Sequence, residues 1–243
     1  ALYRDWIVML LCRPFFPHFI HHWHAVGLGD WLRDEGTPVE RWLTHHLLGK
    51  PSLGIALAIA SMRDALWFGS RQVELVPNGI PDPCPDFDTT VYLRRIARLE
   101  VRRALLSGRN PREIADLDTR VFRVLYIAHC LREKGIFDSL DGVALANAQL
   151  TAEQSPLRIH LTVAGQFPRD DEEADFRIRI TQPDLAGAVT YAGFVSGDAK
   201  TSLLRNCECL CFPTYYPAES LGLVVVEAMA AGVDNGVELH QIL

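Results

Sequence analysis

The sequence predicts an α/β protein built on parallel β-sheet. Short apolar runs alternate with stretches of helical periodicity, and the apolar runs end in His, Gly or a Pro-Asn-Gly turn, where a strand passes into a loop. The 243 residues are 49% hydrophobic and 22% charged, which excludes a disordered or fibrous chain. At roughly 100 to 200 residues per domain, this length corresponds to one large domain or two small ones.

Six apolar runs are predicted as strands, separated by helices. The strong strands are residues 19–23, 73–76, 121–128 and 158–164, and the weaker ones are 189–192 and 207–212. The predicted helices are residues 40–48, 51–70, 135–150, 199–205 and about 221–231. This order is typical of βαβ units, which bind ligands at the carboxyl ends of their strands.

A proline-rich segment marks a boundary in the chain. Residues 77–85 contain four prolines, which prevent regular structure. We therefore predict a first domain over residues 1–88, a helix and linker over 89–120, and a second domain over 121–243.

The predicted helix after this boundary is strongly basic. Seven arginines and one glutamate between Thr89 and Arg112 give it a charge of +6, so that the rest of the chain sums to −12 within a total of −6. Its apolar stripe predicts an amphipathic helix with arginines around the flank. Such a helix either covers a domain edge in solvent or contacts an anionic membrane surface through residues 92–109. The acidic run at residues 170–173 is interpreted as a solvated loop.

The six cysteines show no framework spacing, which favours a reducing, cytoplasmic setting. Cys207, Cys209 and Cys211 alternate and are interpreted as small apolar residues of a buried strand, with a metal site as the alternative. The longest clean apolar run, residues 53–62, is about half the roughly 20 residues that a membrane-spanning helix needs.

The segment from Pro217 to Gly232 is the strongest chemical motif. It holds Glu219 and Glu227, eight residues apart, around a predicted helix start whose free backbone N–H groups can bind a phosphate. Gly222 lets a ligand approach the backbone, and a buried carboxylate accepts hydrogen bonds from sugar or ribose hydroxyls. The apolar run at 223–226 also suits a strand, but the glycine-terminated sequence after it favours a helix.

This segment resembles the Glu-x7-Glu signature of glycosyltransferase family 4, whose members are retaining enzymes of GT-B architecture that use nucleotide-activated sugars. Four further segments resemble the family in the same order, at residues 76–80, 124–135, 161–165 and 191–195. The resemblance implies two Rossmann-like βαβ domains. The first, acceptor-side domain is expected to be incomplete at its N-terminus, and the second, nucleotide-sugar-binding domain at its C-terminus.

The resemblance also implies roles for individual residues. Lys134 would bind the donor diphosphate, Glu227 would accept hydrogen bonds from the ribose, and Glu219 would contact the transferred sugar as a catalytic residue. The other donor-binding positions implied are Ser220, Leu221, Gly222, Leu223, Gly165 and His129.

Two of these positions carry particular information. Lys134 is one of only three lysines beside 21 arginines, and a compact ammonium suits a point contact to phosphate. Many family members have Gly-Arg where this chain has Ala128-His129, so His129 would replace a cationic phosphate ligand. No metal is expected, because Lys134 and the helix start would neutralise the diphosphate.

His24 is the candidate catalytic residue of the first domain. It follows an apolar strand and precedes a Gly-rich loop, and this arrangement resembles the family strand that ends in a His facing the sugar. Alternation places His22 and His24 on one face, and His24 can polarise a sugar or acceptor hydroxyl. The alternatives are a structural histidine, or a metal site formed by His21, His22, His24, His45 and His46.

The predicted function is transfer of a hexosyl unit from a nucleotide diphosphate sugar to a hydroxyl of a glycan or lipid-linked acceptor, with the retention that the resemblance implies. No cofactor and no nucleic-acid partner are expected. One alternative is a non-catalytic, truncated remnant, because the family pattern stops short at both ends of this chain. The other is a sugar-nucleotide epimerase of the same architecture.

Overall fold

A computed structural model describes residues 2–109, 119–217, 219 and 222–233. They form two compact units, one of Ala1–Gly79 with Tyr216–Gly222 and one of Ile80–Tyr215 with Leu223–Leu243. Each unit has a parallel sheet, which confirms the predicted α/β class. The domain boundaries at residues 88 and 120 stay predictions.

The first unit contains a three-stranded parallel sheet in the order β1-β2-β3. Its strands are β1 (Ile20–Trp23), β2 (Leu53–Ala56) and β3 (Val73–Leu75), and its helices are α1 (Leu2–Cys12), α2 (Leu28–Asp34), α3 (Pro38–Leu48) and α4 (Ile59–Trp67). α3 begins as its sequence dictates, with Pro38 in its first turn and a capping box between Thr37 and Glu40.

The prediction of one helix over residues 51–70 is wrong, because part of this stretch forms strand β2. The structure divides that stretch into β2, a short turn and α4. β2 lies between β1 and β3 and pairs with both, and its residues Gly54 and Ala56 are buried. A short apolar run fits a central strand and a buried helix equally well, so the two neighbouring strands decide the outcome.

The second unit contains a four-stranded parallel sheet in the order β6-β5-β4-β7. Its strands are β4 (Val121–Ile127), β5 (Arg158–Ala164), β6 (Val189–Gly193) and β7 (Cys209–Leu210). A π-helical turn (Phe87–Val91) leads into α5 (Tyr92–Leu106), and the later helices are α6 (Ile136–Ala152), α7 (Asp170–Arg179), α8 (Gly197–Asn206) and α9 (Leu223–Ala230).

Both faces of β4 are buried. Val124 and Tyr126 pack into one core with residues of α6 and α7, whereas Leu125 and Ile127 pack into another with residues of α8 and α9. Because successive side chains point to opposite faces, a strand covered on both sides needs an almost continuous apolar sequence. This burial explains why the sequence predicted β4 clearly.

We expected the arginines of α5 to lie on a solvent-exposed flank of the helix, and for two of them this expectation is wrong. Arg98 and Arg102 are buried, with 1% and 7% of their surface exposed. Both pair with Glu208 Oε1, at 3.2 and 2.8 Å. Glu208 Oε2 accepts a hydrogen bond from Arg123 N in β4 at 2.6 Å. These two arginines therefore bind α5 to the second sheet and are withdrawn from any membrane surface.

All six cysteines are free thiols. Cys207 and Cys209 are buried and Cys211 is half-buried, as small apolar residues of a core would be. Burial raises the pKa of Cys207 to about 12, so its thiol stays protonated at neutral pH. In the part of the chain that the structure describes, no helix has the length and apolar character to span a membrane.

Candidate functional site

The carboxyl edge of the second sheet is the first candidate site. The chain order reverses at β4, because β5 and β6 lie on one side of it and β7 lies on the other. The paired strands β4 and β5 end level, with Ile127 opposite Ala164. In parallel α/β sheets such a reversal opens a crevice beyond the strand ends, where ligands bind.

A cavity of about 220 Å³ lies at this edge. Its walls come from the loops after β4, β5 and β6 and from helices α8 and α9, and its lining includes His129, Gly165, Gln166, Phe194, Lys200 and Val224. The structure thus brings two of the predicted donor-binding residues, His129 and Gly165, to one cavity.

Glu227 lies on α9, one turn beyond Val224. Its side chain is 19% exposed, and its Oε2 atom lies 2.5 Å from Lys200 Nζ. Lys200 itself lines the cavity, so the carboxylate is joined to the cavity wall through an ion pair. A nearby ammonium favours the ionised form of a carboxylate, which is the stronger acceptor for hydroxyl groups.

Lys134 lies in a tight turn after β4. A 3-10 turn spans Arg132–Lys134, and Gly135 follows it with a φ of 79°. A Cβ atom at Gly135 would collide with the backbone of Pro213, so this packing requires glycine. Lys134 is half-buried in the turn, and it is not among the residues that line the cavity.

Glu172 stabilises this turn through hydrogen bonds, and its role was not predicted from the sequence. Glu172 is 5% exposed, and its carboxylate accepts hydrogen bonds from Arg132 N at 3.1 Å and from Arg169 Nη1 at 3.0 Å. The interpretation of residues 170–173 as a solvated loop is therefore wrong. The run forms the first turn of α7, where carboxylates are favourable. Its acidic composition was visible in the sequence, but its contact with the loop after β4 was not.

Gly165 joins the three loops around the cavity. Its φ is 156°, and a Cβ atom there would collide with Ala128 O in the loop after β4. Its N–H donates to Gly193 O at 2.8 Å, and its carbonyl oxygen accepts from the Tyr191 hydroxyl at 2.9 Å. This position therefore has a packing requirement for glycine beside its predicted role in donor binding.

The helix start predicted near residue 221 is observed at Leu223. Gly222 directly precedes it, and both residues are partly buried. The first N–H groups of a helix have no acceptor within the helix, so they are available to a ligand anion. Ser220 and Leu221, which were predicted to contribute backbone contacts, lie outside the described residues.

Glu219 belongs to the other unit. It lies in the segment Tyr216–Gly222, which groups with the first unit, whereas Glu227 belongs to the second. Glu219 is partly buried, and its N–H donates to Tyr216 O at 3.1 Å. Its catalytic role stays a prediction.

His24 lines a cavity of about 550 Å³ in the first unit. The cavity runs between β1 and α1, and Asp5 and Met9 contribute to its α1 side. The rings of His22 and His24 lie 4.2 Å apart, in agreement with the alternation of the strand. His24 is exposed, so a ligand in this cavity can reach its ring.

The glycine-rich loop after His24 is held by Asp64 of α4. Asp64 is 3% exposed, and its carboxylate accepts hydrogen bonds from Gly27 N at 2.8 Å and from Gly29 N at 2.7 Å. The carboxylate thereby satisfies N–H groups at the start of α2. Sequence reasoning missed this residue because it lies 37 positions from Gly27.

The other histidines have separate structural neighbours. His21 packs against Phe19, Trp23 and Phe68, and its burial lowers its pKa to about 4, so it is neutral at pH 7. His46 stacks on an exposed tryptophan of α3. Among the described residues, no group of three or more His, Cys, Asp or Glu side chains is arranged to hold a metal ion.

The sequence model of the family described as "Glycosyl transferases group 1" matches residues 109–233. The chain belongs to this family. The match spans the second sheet, the loops around the 220 Å³ cavity and Glu227. A phosphatidyl-myo-inositol mannosyltransferase of Mycolicibacterium smegmatis is 41% identical over 64 residues, which are 26% of this chain and 16% of that protein.

The fold of this glycosyl transferases group 1 member also resembles solved GT-B structures. Anabaena Alr3699/HepE in complex with UDP and glucose aligns with a TM-score of 0.63 and 18% identity, over 98% of this chain and 59% of that one. The sucrose-phosphate synthase tll1590 of Thermosynechococcus elongatus aligns with a TM-score of 0.60 and 20% identity, over 98% and 56%. This chain thus spans less than two thirds of the length of either structure.

Proposed function

We propose that this chain binds a nucleotide diphosphate sugar at the carboxyl edge of its second sheet and transfers the hexosyl unit to an acceptor hydroxyl. The observation on which this rests is the 220 Å³ cavity, lined by His129, Gly165 and Lys200, with the Glu227 carboxylate held beside it. Membership of the glycosyl transferases group 1 family supports the reaction class. The resemblance to family 4 supports retention of configuration.

In the proposed reaction the bond between the anomeric carbon and the diphosphate oxygen breaks, and a bond to the acceptor oxygen forms on the same face of the sugar. The proton of the acceptor hydroxyl passes to the departing diphosphate. Negative charge develops on the departing diphosphate. Lys134, His129 and the backbone N–H groups at the start of α9 would oppose that charge, which is the main catalytic contribution we propose. With these donors the chain needs no metal ion. Glu227 would bind the ribose, and Glu219 and His24 would contact the sugar and the acceptor.

Calorimetric titration of the chain with UDP, GDP and their sugars, in the presence of a chelator, tests this proposal. We expect one nucleotide to bind with a dissociation constant below millimolar. Glu227→Gln should weaken that binding about tenfold, which is the difference between a charge-assisted and a neutral hydrogen bond. Glu153→Gln, an exposed residue after α6, is the matched control and should bind like the wild type.

Two results would contradict the proposal. If none of these nucleotides binds below millimolar, the donor site is refuted. If the Glu227 variant binds as tightly as the control, Glu227 has no role at the ribose. Nucleotide binding without transfer to any glycan or lipid-linked acceptor would instead favour a non-catalytic member of the family.

We also propose that the exposed face of α5 contacts an anionic membrane surface. Its exposed apolar residues are Tyr92, Leu93, Ile96 and Leu106, between 37% and 59% exposed, and Arg94 and Arg103 are exposed on the same helix. Apolar side chains flanked by arginines suit the boundary between headgroups and acyl chains.

Sedimentation with phosphatidylserine-containing vesicles tests this contact. Arg94→Ser with Arg103→Ser should weaken binding, and Arg71→Ser, at an exposed arginine of the first unit, should not. Equal sedimentation of all three proteins would refute the contact.

A further inference from the structure

Lys200 and Glu227 form an ion pair at the wall of the candidate donor cavity. They come from different helices, α8 and α9, and Lys200 Nζ lies 2.5 Å from Glu227 Oε2. Their side chains are 30% and 19% exposed, and the Oε2 atom is fully buried. This pair is therefore more sheltered from water than a typical surface ion pair.

The pair has an electrostatic consequence for Glu227. Burial disfavours the charged form of a carboxylate, and a nearby ammonium favours it. Among the described residues that line the cavity, the titratable side chains are Lys200 from α8 and His129 from the loop after β4. Lys200 is the one in direct contact with Glu227, so it is the group that compensates the buried charge.

The pair also has a geometric consequence. A carboxylate has two oxygen atoms, and the Lys200 ammonium lies beside the buried one, Oε2, as a charge contact. No hydrogen bond reaches Oε2 from the residues that the structure describes. The charge contact favours one rotation of the carboxylate group, so that the other oxygen, Oε1, keeps a preferred orientation for a ligand.

We propose that Lys200 is a positioning residue of the donor site, whose charge offsets that of the Glu227 carboxylate and whose contact with Oε2 orients Oε1 toward the ribose hydroxyls of a nucleoside diphosphate. The proposal rests on the donor site described above. Lys200 thereby acts through Glu227 and not on the diphosphate.

The test compares ligands that differ only in the ribose hydroxyls. UDP and GDP are titrated calorimetrically beside their 2′,3′-dideoxy analogues and inorganic pyrophosphate, using the full chain and the Lys200→Met variant. We expect Lys200→Met to weaken ribonucleotide binding about tenfold, because the Glu227 carboxylate loses the contact that orients it and its hydrogen bonds to the ribose weaken. Binding of the dideoxy analogues and of pyrophosphate should change less than about twofold.

A double-variant comparison separates a positioning role from a merely structural one. If Lys200 acts through the Glu227 carboxylate, Lys200→Met should weaken ribonucleotide binding about tenfold in the wild type but less than about twofold in the Glu227→Gln background. A merely structural role would cause equal losses in both backgrounds.

Further variants keep the test interpretable. Lys200→Gln keeps a donor without the charge and should show the same loss of ribonucleotide binding as Lys200→Met. Lys200→Arg keeps the charge and should stay within about threefold of the wild type, since the difference is one of geometry only. Lys50→Met, at an exposed lysine of the first unit, is the control and should change nothing. Circular dichroism checks that each variant is folded.

The outcomes distinguish this inference from the proposed function. Equal or tighter ribonucleotide binding by Lys200→Met would overturn the positioning role. An equal loss for pyrophosphate and the dideoxy analogues would also overturn it, because Lys200 would then contact the diphosphate directly. If Glu227→Gln loses the preference for ribose while both uncharged Lys200 variants retain it, only this inference fails. If the wild type binds neither UDP nor GDP, the proposed function fails and this inference fails with it.

Discussion

Glu208→Gln should destabilise the second unit strongly, although Glu208 lies at the opposite end of the sheet from the candidate donor site. The wild-type carboxylate pairs with Arg98 and Arg102, both almost fully buried, and accepts a hydrogen bond from the backbone of Arg123. Glutamine keeps the shape of the side chain but removes its charge. Two guanidinium groups are then left in the core without a counter-charge, and burial already lowers the pKa of Arg98.

The magnitude follows from this burial. Removing one partner of a buried ion pair costs about 3–5 kcal/mol. With a urea m-value of about 2 kcal/mol/M, the unfolding midpoint should fall by about 1.5–2.5 M. Glu173→Gln is the matched control, because Glu173 pairs with Arg177 on the surface of α7, where side chains are 35% and 58% exposed. Exposed pairs contribute about 0–1 kcal/mol, so this control should move the midpoint by less than about 0.5 M.

Urea unfolding followed by far-ultraviolet circular dichroism measures the two midpoints. Hydrogen exchange of peptides from α5 and β4 then locates the loss, which should appear as faster exchange in both elements. If Glu208→Gln shifts the midpoint no more than the surface control, the buried cluster does not fasten α5 to the sheet and the argument from burial is refuted.

Three other predictions concern single positions. Gly165→Ala should lower the free energy of unfolding in urea by about 1–3 kcal/mol, because the added Cβ would collide with backbone. Gly142→Ala should raise it by about 0.5–1 kcal/mol, because open space surrounds this position in α6. Equal effects of the two substitutions would contradict this contrast. His21 has a folded pKa of about 4, below its unfolded value of 6.5, so its contribution to stability is present above pH 6.5 and is lost as the pH falls toward 4. His21→Phe should therefore gain stability relative to the wild type at pH 4.5 compared with pH 7, and parallel pH curves would rule this out. Glu172→Gln should speed amide hydrogen exchange in residues 131–135, because the Arg132 N–H loses a charged acceptor. Mass spectrometry measures this exchange. Unchanged exchange would mean that packing against Pro213 is sufficient to hold the turn.

Much of the fold and the main chemical motif could be predicted from patterns that are local in the sequence. The alternation of apolar runs and helical periodicity predicted the parallel α/β fold, and six of the seven described strands lie within or overlap the predicted runs. The Glu-x7-Glu segment and its ordered companions pointed to a glycosyltransferase through their resemblance to family 4. Such features are visible because strand burial, helix termination and loop chemistry depend on residues that are close in the chain.

Tertiary structure decided what depends on residues far apart. β2 is a strand because two neighbouring strands pair with it, which periodicity over residues 51–70 did not reveal. The buried arginines of α5 meet Glu208 across more than 100 residues, so their sequence alone resembled that of a solvated helix. Lys200 joins Glu227 only because α8 and α9 lie side by side at the sheet edge. The charge of a residue shows which kinds of partner it can pair with. Only the fold shows which partner lies close enough to neutralise that charge when the side chain is buried away from water.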